Sequence, residues 1–225
     1  MDKVIFFDID GTLLDTTHFA KTARTEAIKA MIENGLPVEA DEGYEILMEI
    51  VNEKGSNYEK HFDLLTKKIC GKENPLLVAF GTITYHNIKF SLLQPFSKTL
   101  PVLIYLKNKG YRLGVISNGR THKQWEKLVR LNIHGFFEEV ITSQEVDSEK
   151  PNKKIFEEAL RRMDCEAKNS IMIGNKIDMD IIGAINSKIQ PILVNSGLND
   201  ADKKEILEKF DIEIIDDIGE LIDIL

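Results

Sequence analysis

An α/β fold, with a Rossmann-like parallel sheet as its core and an all-helical insertion, is the architecture this sequence predicts. Three observations carry it. An apolar, strand-like run opens the chain and stops at Asp8-Ile9-Asp10-Gly11. From about residue 98 onward, β-rich runs alternate with helical patterns, which implies crossover connections and a mostly parallel sheet covered by helices on both faces. Between the first strand and the second, from about residue 16 to 93, there is no strand signal.

The elements follow in order. Residues 3–7 are β-rich and meet a tight turn at Asp10-Gly11, as a buried strand does. Further strands are read at 111–116, 139–142, 170–173, 191–194 and 212–215. Helices are read at 100–109, 123–131, 153–163, 180–187 and 202–210. In the insertion, apolar residues recur at helical spacing: Phe19, Ala23, Ala27 and Met31; Tyr44, Leu47, Met48 and Val51; Phe62, Leu65 and Ile69; then Leu76, Phe80, Ile83 and Phe90, with Asn87 breaking the last stripe. Gly35-Leu36-Pro37, Gly55-Ser56-Asn57 and Asn74-Pro75 separate them, and Pro75 suits a first helical position. About four helices result, and their stripes read as the insertion's own core rather than a membrane or partner face. The domain boundaries are therefore 1–15 with 95–225 for the α/β core, and 16–94 for the insertion.

Composition narrows the function classes. The 225 residues are 43% hydrophobic and 29% charged, which excludes disorder and gives material for a large core. A formal charge of −8 disfavours nucleic-acid partners, since the overall field repels phosphate backbones. Cys70 and Cys165 stand far apart with no CxxC pattern, which fits a reducing compartment. Met1-Asp2-Lys3 leads directly into a strand without a signal-peptide pattern, and no run approaches a membrane span, so a cytoplasmic protein without membrane contact is expected. A monomer or small homo-oligomer is expected too.

Open parallel sheets place ligands beyond the carboxyl ends of their strands. The first strand delivers Asp8 and Asp10 there, the second Ser117-Asn118-Gly119, and the fourth Gly174-Asn175 with Asp178 and Asp180; Lys150-Pro151 follows the third strand. Four strand ends thus converge on acids, a hydroxyl, an amide and a lysine. A carboxylate attacks the phosphorus of a phosphate ester in line only if a cation neutralises both parties and the leaving alkoxide receives a proton. Asp8 suits the nucleophile. Asp10, two residues on, faces the same side of an extended chain and suits the proton donor and later the base that activates water. Gly11 permits the turn, and its neighbours' N–H groups are candidate phosphate donors.

Phe7-Asp8-Ile9-Asp10-Gly11-Thr12-Leu13-Leu14-Asp15 resembles the first motif of the haloacid dehalogenase (HAD) superfamily, and Ser117, Lys150-Pro151 and the segment 174–180 fall in that family's order. The resemblance covers nearly the whole chain, with a helical cap inserted after the first motif as in the family's first subgroup. It implies a Mg²⁺-dependent phosphatase of a small phosphorylated metabolite, working through an aspartyl-phosphate on Asp8. It implies that Ser117, Asn118 and Lys150 bind the transferring phosphoryl group, Lys150 as a fixed cation. The cap is expected to exclude water and select the substrate.

The fourth motif departs from the family, which has Gly-Asp where this chain has Gly174-Asn175. Asparagine offers a hard cation a neutral carbonyl oxygen, so a weakened Mg²⁺ site is expected, with Asp8, the Asp10 carbonyl, Asn175 and Asp180 as ligands and Asp178 as a substitute carboxylate. Asn175 and Ser117-Asn118-Gly119 also resemble the 2-haloacid dehalogenases, an alternative that Asp10 opposes because a halide needs no proton donor. A catalytically weakened binding protein is the other alternative. The five histidines, His18, His61, His86, His122 and His134, show no ligand spacing. Trp125 is expected on the buried face of its helix, and Arg120, Lys123, Lys127 and Arg130 on a solvated one.

Overall fold

The computed structural model describes residues 3–55, 58–195 and 197–225, except the side chains of residues 16–18. Met1 and Asp2, the Ser56-Asn57 part of the second predicted turn and the His18 side chain therefore lie outside the described residues. The chain forms two compact units, Met1–Asp15 with Gln94–Leu225, and Thr16–Leu93.

The first unit is built on one parallel sheet. Its strands are β1 (Val4–Phe7), β2 (Arg112–Ser117), β3 (Glu139–Thr142), β4 (Ser170–Gly174), β5 (Gln190–Val194) and β6 (Glu213–Ile215), in the order β3-β2-β1-β4-β5-β6. The six strands and the α/β class agree with the sequence reading. β1 is wholly buried, as its unbroken apolar run requires of a central parallel strand. It lies between β2 and β4, with Phe7 opposite Val115 on one side and Ile173 on the other. The chain builds the sheet outward to β3, returns to β4, and then builds outward the other way. Its topological switch point therefore lies at the carboxyl ends of β1 and β4, where open α/β sheets bind ligands.

Among the described residues, seven α-helices belong to this unit: α5 (Thr99–Asn108), α6 (Thr121–Arg130), α7 (Ser143–Val146), α8 (Lys153–Arg162), α9 (Ile182–Asn186), α10 (Asp200–Lys209) and α11 (Leu221–Ile224). α8 and α9 close one core cluster over the sheet, in which Val4, Phe6, Ile116, Ile141, Phe156 and Met172 are fully buried. A π-helical turn, Ile177–Ile181, precedes α9, where one continuous helix from 180 is expected. α6 turns differently from expectation. Its buried residues are Gln124 and Leu128, whereas Trp125 is 38% exposed.

Among the described residues, the second unit holds four helices, α1 (Thr16–Glu33), α2 (Ala40–Lys54), α3 (His61–Cys70) and α4 (Pro75–Ser91). Ala27, Met31, Leu47, Val51, Phe62, Leu65 and Leu77 form its own core, as the stripes of the first three helices predict. Pro75 occupies the first turn of α4, and the Asn74 side chain caps it by accepting from the Leu77 N–H at 3.3 Å. The stripe expected on α4 is out of phase. Leu76 and Ile83 are 62% and 59% exposed, while Leu77 and Gly81 are buried. α4 is apolar nearly all round, so periodicity alone does not select its buried face. Leu77→Ala should therefore cost about 2–5 kcal/mol in chemical denaturation and Leu76→Ala within about 0.5 kcal/mol, a contrast that the expected stripe would invert.

Candidate active site

The centre of the switch point is an ammonium group between two carboxylates. Asp8 follows β1 directly and is fixed to β4 by its backbone, its N–H donating to Ile173 O at 2.9 Å. Lys150 Nζ donates to Asp8 Oδ1 at 2.7 Å and to Ile116 O at 2.9 Å, and lies 2.6 Å from Asp180 Oδ1 as an ion pair. All three side chains are buried, Asp180 completely. The π-helical turn and Gly174 deliver Asp180 here. A Cβ on Gly174 would sit 2.4 Å from the Asp180 carboxylate, so no larger residue fits at the end of β4 without moving it.

Burial raises the Asp8 carboxyl to about pKa 6, and the negative charges of Asp180 and Asp10 add to that rise while Lys150 opposes it. Burial alone would lower Lys150, but Asp8 and Asp180 outweigh it and hold the ammonium above its ordinary range. Both shifts have one origin: two buried carboxylates share one cation.

Lys150 is held from behind by Asn118. The Asn118 Oδ1 accepts from the Lys150 N–H at 2.8 Å and its Nδ2 donates to the Lys150 carbonyl at 3.2 Å. Its side chain thus clamps the lysine rather than facing a ligand. The preceding residue, Ser117, ends β2 with its side chain buried. Gly119 N–H donates to Ser143 Oγ at 2.9 Å and Thr121 N–H to Gln144 Oε1 at 2.9 Å, tying the loop after β2 to α7.

The turn after β1 uses much of its own hydrogen-bonding capacity. Gly11, at φ +83°, donates to Leu14 O at 2.8 Å, Leu13 to Ile9 O at 3.0 Å, and Thr12 to the same carbonyl at 3.4 Å. The turn's neighbouring N–H groups are thus less available to a ligand than the sequence suggests. A Cβ on Gly11 would meet Asn175 Nδ2 at 2.3 Å, so the amide of the fourth strand end lies directly on this turn. Asn175 Oδ1 is buried with no hydrogen-bond partner among the described residues. Asp178 is exposed. No cluster of three or more His, Cys, Asp or Glu with metal-binding geometry occurs among the described residues.

Asp10 lies elsewhere than the shared ammonium. Both its carboxylate oxygens are bound by Lys127 Nζ, at 2.7 and 2.5 Å. Lys127 is therefore not the solvated helix residue its charge suggests; its side chain is 14% exposed. No spacing signal marks it, because Gln124, one turn earlier, is polar yet buried and bonded to Lys127.

The model of the haloacid dehalogenase-like hydrolase family matches residues 5–194. This chain belongs to that family. It is 58% identical over the full length of both chains to a glyceraldehyde 3-phosphate phosphatase of Methanothermobacter thermautotrophicus. A second glyceraldehyde 3-phosphate phosphatase, of Methanocaldococcus jannaschii, is 47% identical over 80% of this chain and 79% of its own. The fold is shared with a HAD phosphatase from Thermococcus onnurineus, at TM-score 0.71, 23% identity and 99% and 97% coverage. It is shared as well with a 2-haloacid dehalogenase from Pseudomonas syringae pv. tomato, at TM-score 0.67, 23% identity and 100% and 98% coverage. The chain is thus a HAD hydrolase, and the two relatives named first are phosphatases. No helix among the described residues is long and apolar enough to cross a membrane.

The raised Asp8 carboxyl gives this HAD chain a testable acid-side behaviour. Its folded pKa of about 6 exceeds the ordinary value of 3.8, so between these values the native state binds more protons than the unfolded one. Asp8 should therefore lower stability as pH rises from about 4 to 6, by up to about 3 kcal/mol. In chelator-treated protein, Asp8→Asn should gain stability relative to wild type between pH 4.5 and 7, measured by denaturant unfolding at each pH. A difference that stays flat would show that Asp8 is not raised.

Proposed function

We propose that this protein is a phosphatase that hydrolyses glyceraldehyde 3-phosphate by way of an aspartyl-phosphate on Asp8. The observation that carries the reading is the 58% identity across the full length of both chains with a glyceraldehyde 3-phosphate phosphatase. The Asp8–Lys150–Asp180 arrangement is consistent with it. Lys150 binds Asp8 Oδ1, which leaves Oδ2 to attack phosphorus. The new P–O bond to Asp8 forms as the ester P–O bond breaks, and Asp10, having taken a proton from solvent as the ester binds, gives that proton to the departing alkoxide. Asp10 then takes a proton from the water that attacks the phosphoenzyme, which releases inorganic phosphate and regenerates Asp8. Lys150 offsets the charge that gathers around the transferring phosphoryl group, with Ser117 and the Asn118 N–H as further donors.

The donor set also suits a hard cation. Asn175 Oδ1 is a buried carbonyl oxygen without a hydrogen-bond partner among the described residues. With the Asp8 carboxylate, the Asp10 carbonyl and Asp180, acting directly or through water, it gives the oxygen-only environment that Mg²⁺ prefers. When bound, Mg²⁺ would supply the charge neutralisation that draws a phosphate dianion toward a carboxylate nucleophile.

Phosphate release from glyceraldehyde 3-phosphate should exceed release from other three-carbon and sugar phosphates in the presence of Mg²⁺. Asp8→Asn should reduce it by about a thousandfold or more while the protein remains folded. A panel in which another ester is clearly preferred would reassign the substrate, and an active Asp8→Asn would remove the nucleophile. Asn175→Asp should tighten Mg²⁺ binding, read by calorimetry without substrate, by about tenfold. Unchanged binding would remove Asn175 from the metal site.

A further inference from the structure

The ion pair between Lys127 and Asp10 has no part in the scheme above, yet it binds the carboxylate assigned there as the proton donor. Lys150 neutralises Asp8 and Asp180 and makes no bond to Asp10. Asp10 is less buried than Asp8, its side chain being 28% exposed, and it lies close enough for its charge to raise the Asp8 carboxyl. Repulsion from Asp8 and the attraction of water both pull such a carboxylate outward. Lys127 holds it at both oxygens.

Its own orientation is fixed from behind. Lys127 Nζ donates to Gln124 Oε1 at 3.1 Å, and Gln124 Nε2 donates to the Asn118 carbonyl at 3.1 Å. Gln124 is buried, and its amide serves both partners at once. Asn118 also clamps Lys150. One face of α6, through residues 124 and 127, therefore links the holder of Asp10 to the holder of Lys150.

We infer that Lys127, anchored by Gln124, is a positioning residue that holds the Asp10 carboxyl group by one oxygen so that the other, once protonated, serves the leaving oxygen of the ester. The inference rests on Asp10 being the proton donor. Without the ammonium, Asp10 swings toward solvent and the departing alkoxide loses its donor. Esters then differ in how much they suffer. An alkyl phosphate leaves as a strongly basic alkoxide and needs the proton, whereas p-nitrophenolate leaves without one. The kcat/KM value reports only steps up to departure of the leaving group, so it separates donor loss from any effect on phosphoenzyme hydrolysis.

The test compares kcat/KM for glyceraldehyde 3-phosphate with that for p-nitrophenyl phosphate in the full-length enzyme with Mg²⁺. Lys127→Met should lower the first by about tenfold or more, and at least five times more than the second, since positioned general acids contribute about 10²–10⁴-fold. Lys127→Gln, which keeps a hydrogen-bond donor and removes the charge, should move the ratio in the same direction, and it decides the matter should the Met variant fail to fold. Equal losses on both esters, or no loss, would overturn the inference. Asp10→Asn run in parallel separates the two layers. If it shows the same leaving-group asymmetry and Lys127→Met does not, Lys127 alone is discarded. If Asp10→Asn shows no asymmetry, the proton-donor assignment falls and the inference falls with it.

Discussion

One ammonium shared by two buried carboxylates is the constraint around which the core unit is arranged. An isolated charge in such a place costs several kcal/mol, and breaking a buried pair leaves its partner uncompensated. Asp8, Lys150 and Asp180 come from three distant parts of the chain, so only the finished sheet brings them together. The supporting details follow from that demand. β1 and β4 are neighbours, which sets Asp8 beside the segment that carries Asp180. Gly174 leaves room for the Asp180 carboxylate, and the π-helical turn directs it inward. Ile116 offers its carbonyl at the end of β2, and Asn118 holds the lysine backbone on both its polar groups.

The same arrangement explains why the strand ends were legible in the sequence. A fully buried parallel strand has no polar alternation to blur its limits, so 3–7 and 170–173 stand out, and the residues after them are where a ligand must sit. Asp8 stands out on that logic, whereas Lys150 and Asp180 are singled out by the resemblance to the family's later motifs; the structure brings the three side chains into contact. What sequence reasoning missed is where polarity and burial part company. On α6 the buried positions are Gln124 and Leu128, and the well-sheltered cation is Lys127. A pattern search assigns the inward face to Trp125, because it equates inward with apolar. A helix lining a charged site inverts that equation. On α4 the failure is different: apolar residues occupy every face, so periodicity carries no phase. The role of the Asn118 side chain was invisible for a third reason, since its partners lie on the backbone of a residue far along the chain.

The acidity of the chain meets the needs of an anion-binding site only through this local organisation. Asp8, Asp10 and Asp180 are offset by Lys150 and Lys127, which leaves one carboxylate charge in excess. A phosphate dianion would still be repelled. A neutral residue at Asn175 limits that excess, because a fourth carboxylate on the same turn would add to it. It also leaves an oxygen donor whose only missing partner is electropositive. If Asn175 holds a divalent cation as proposed, it is a compromise between two requirements that oppose each other: few fixed negative charges before the ligand arrives, and enough oxygen ligands to retain the cation. Restoring a carboxylate there satisfies the second requirement at the expense of the first. Metal affinity and phosphate affinity should consequently respond to that position in opposite directions whenever the cation is scarce.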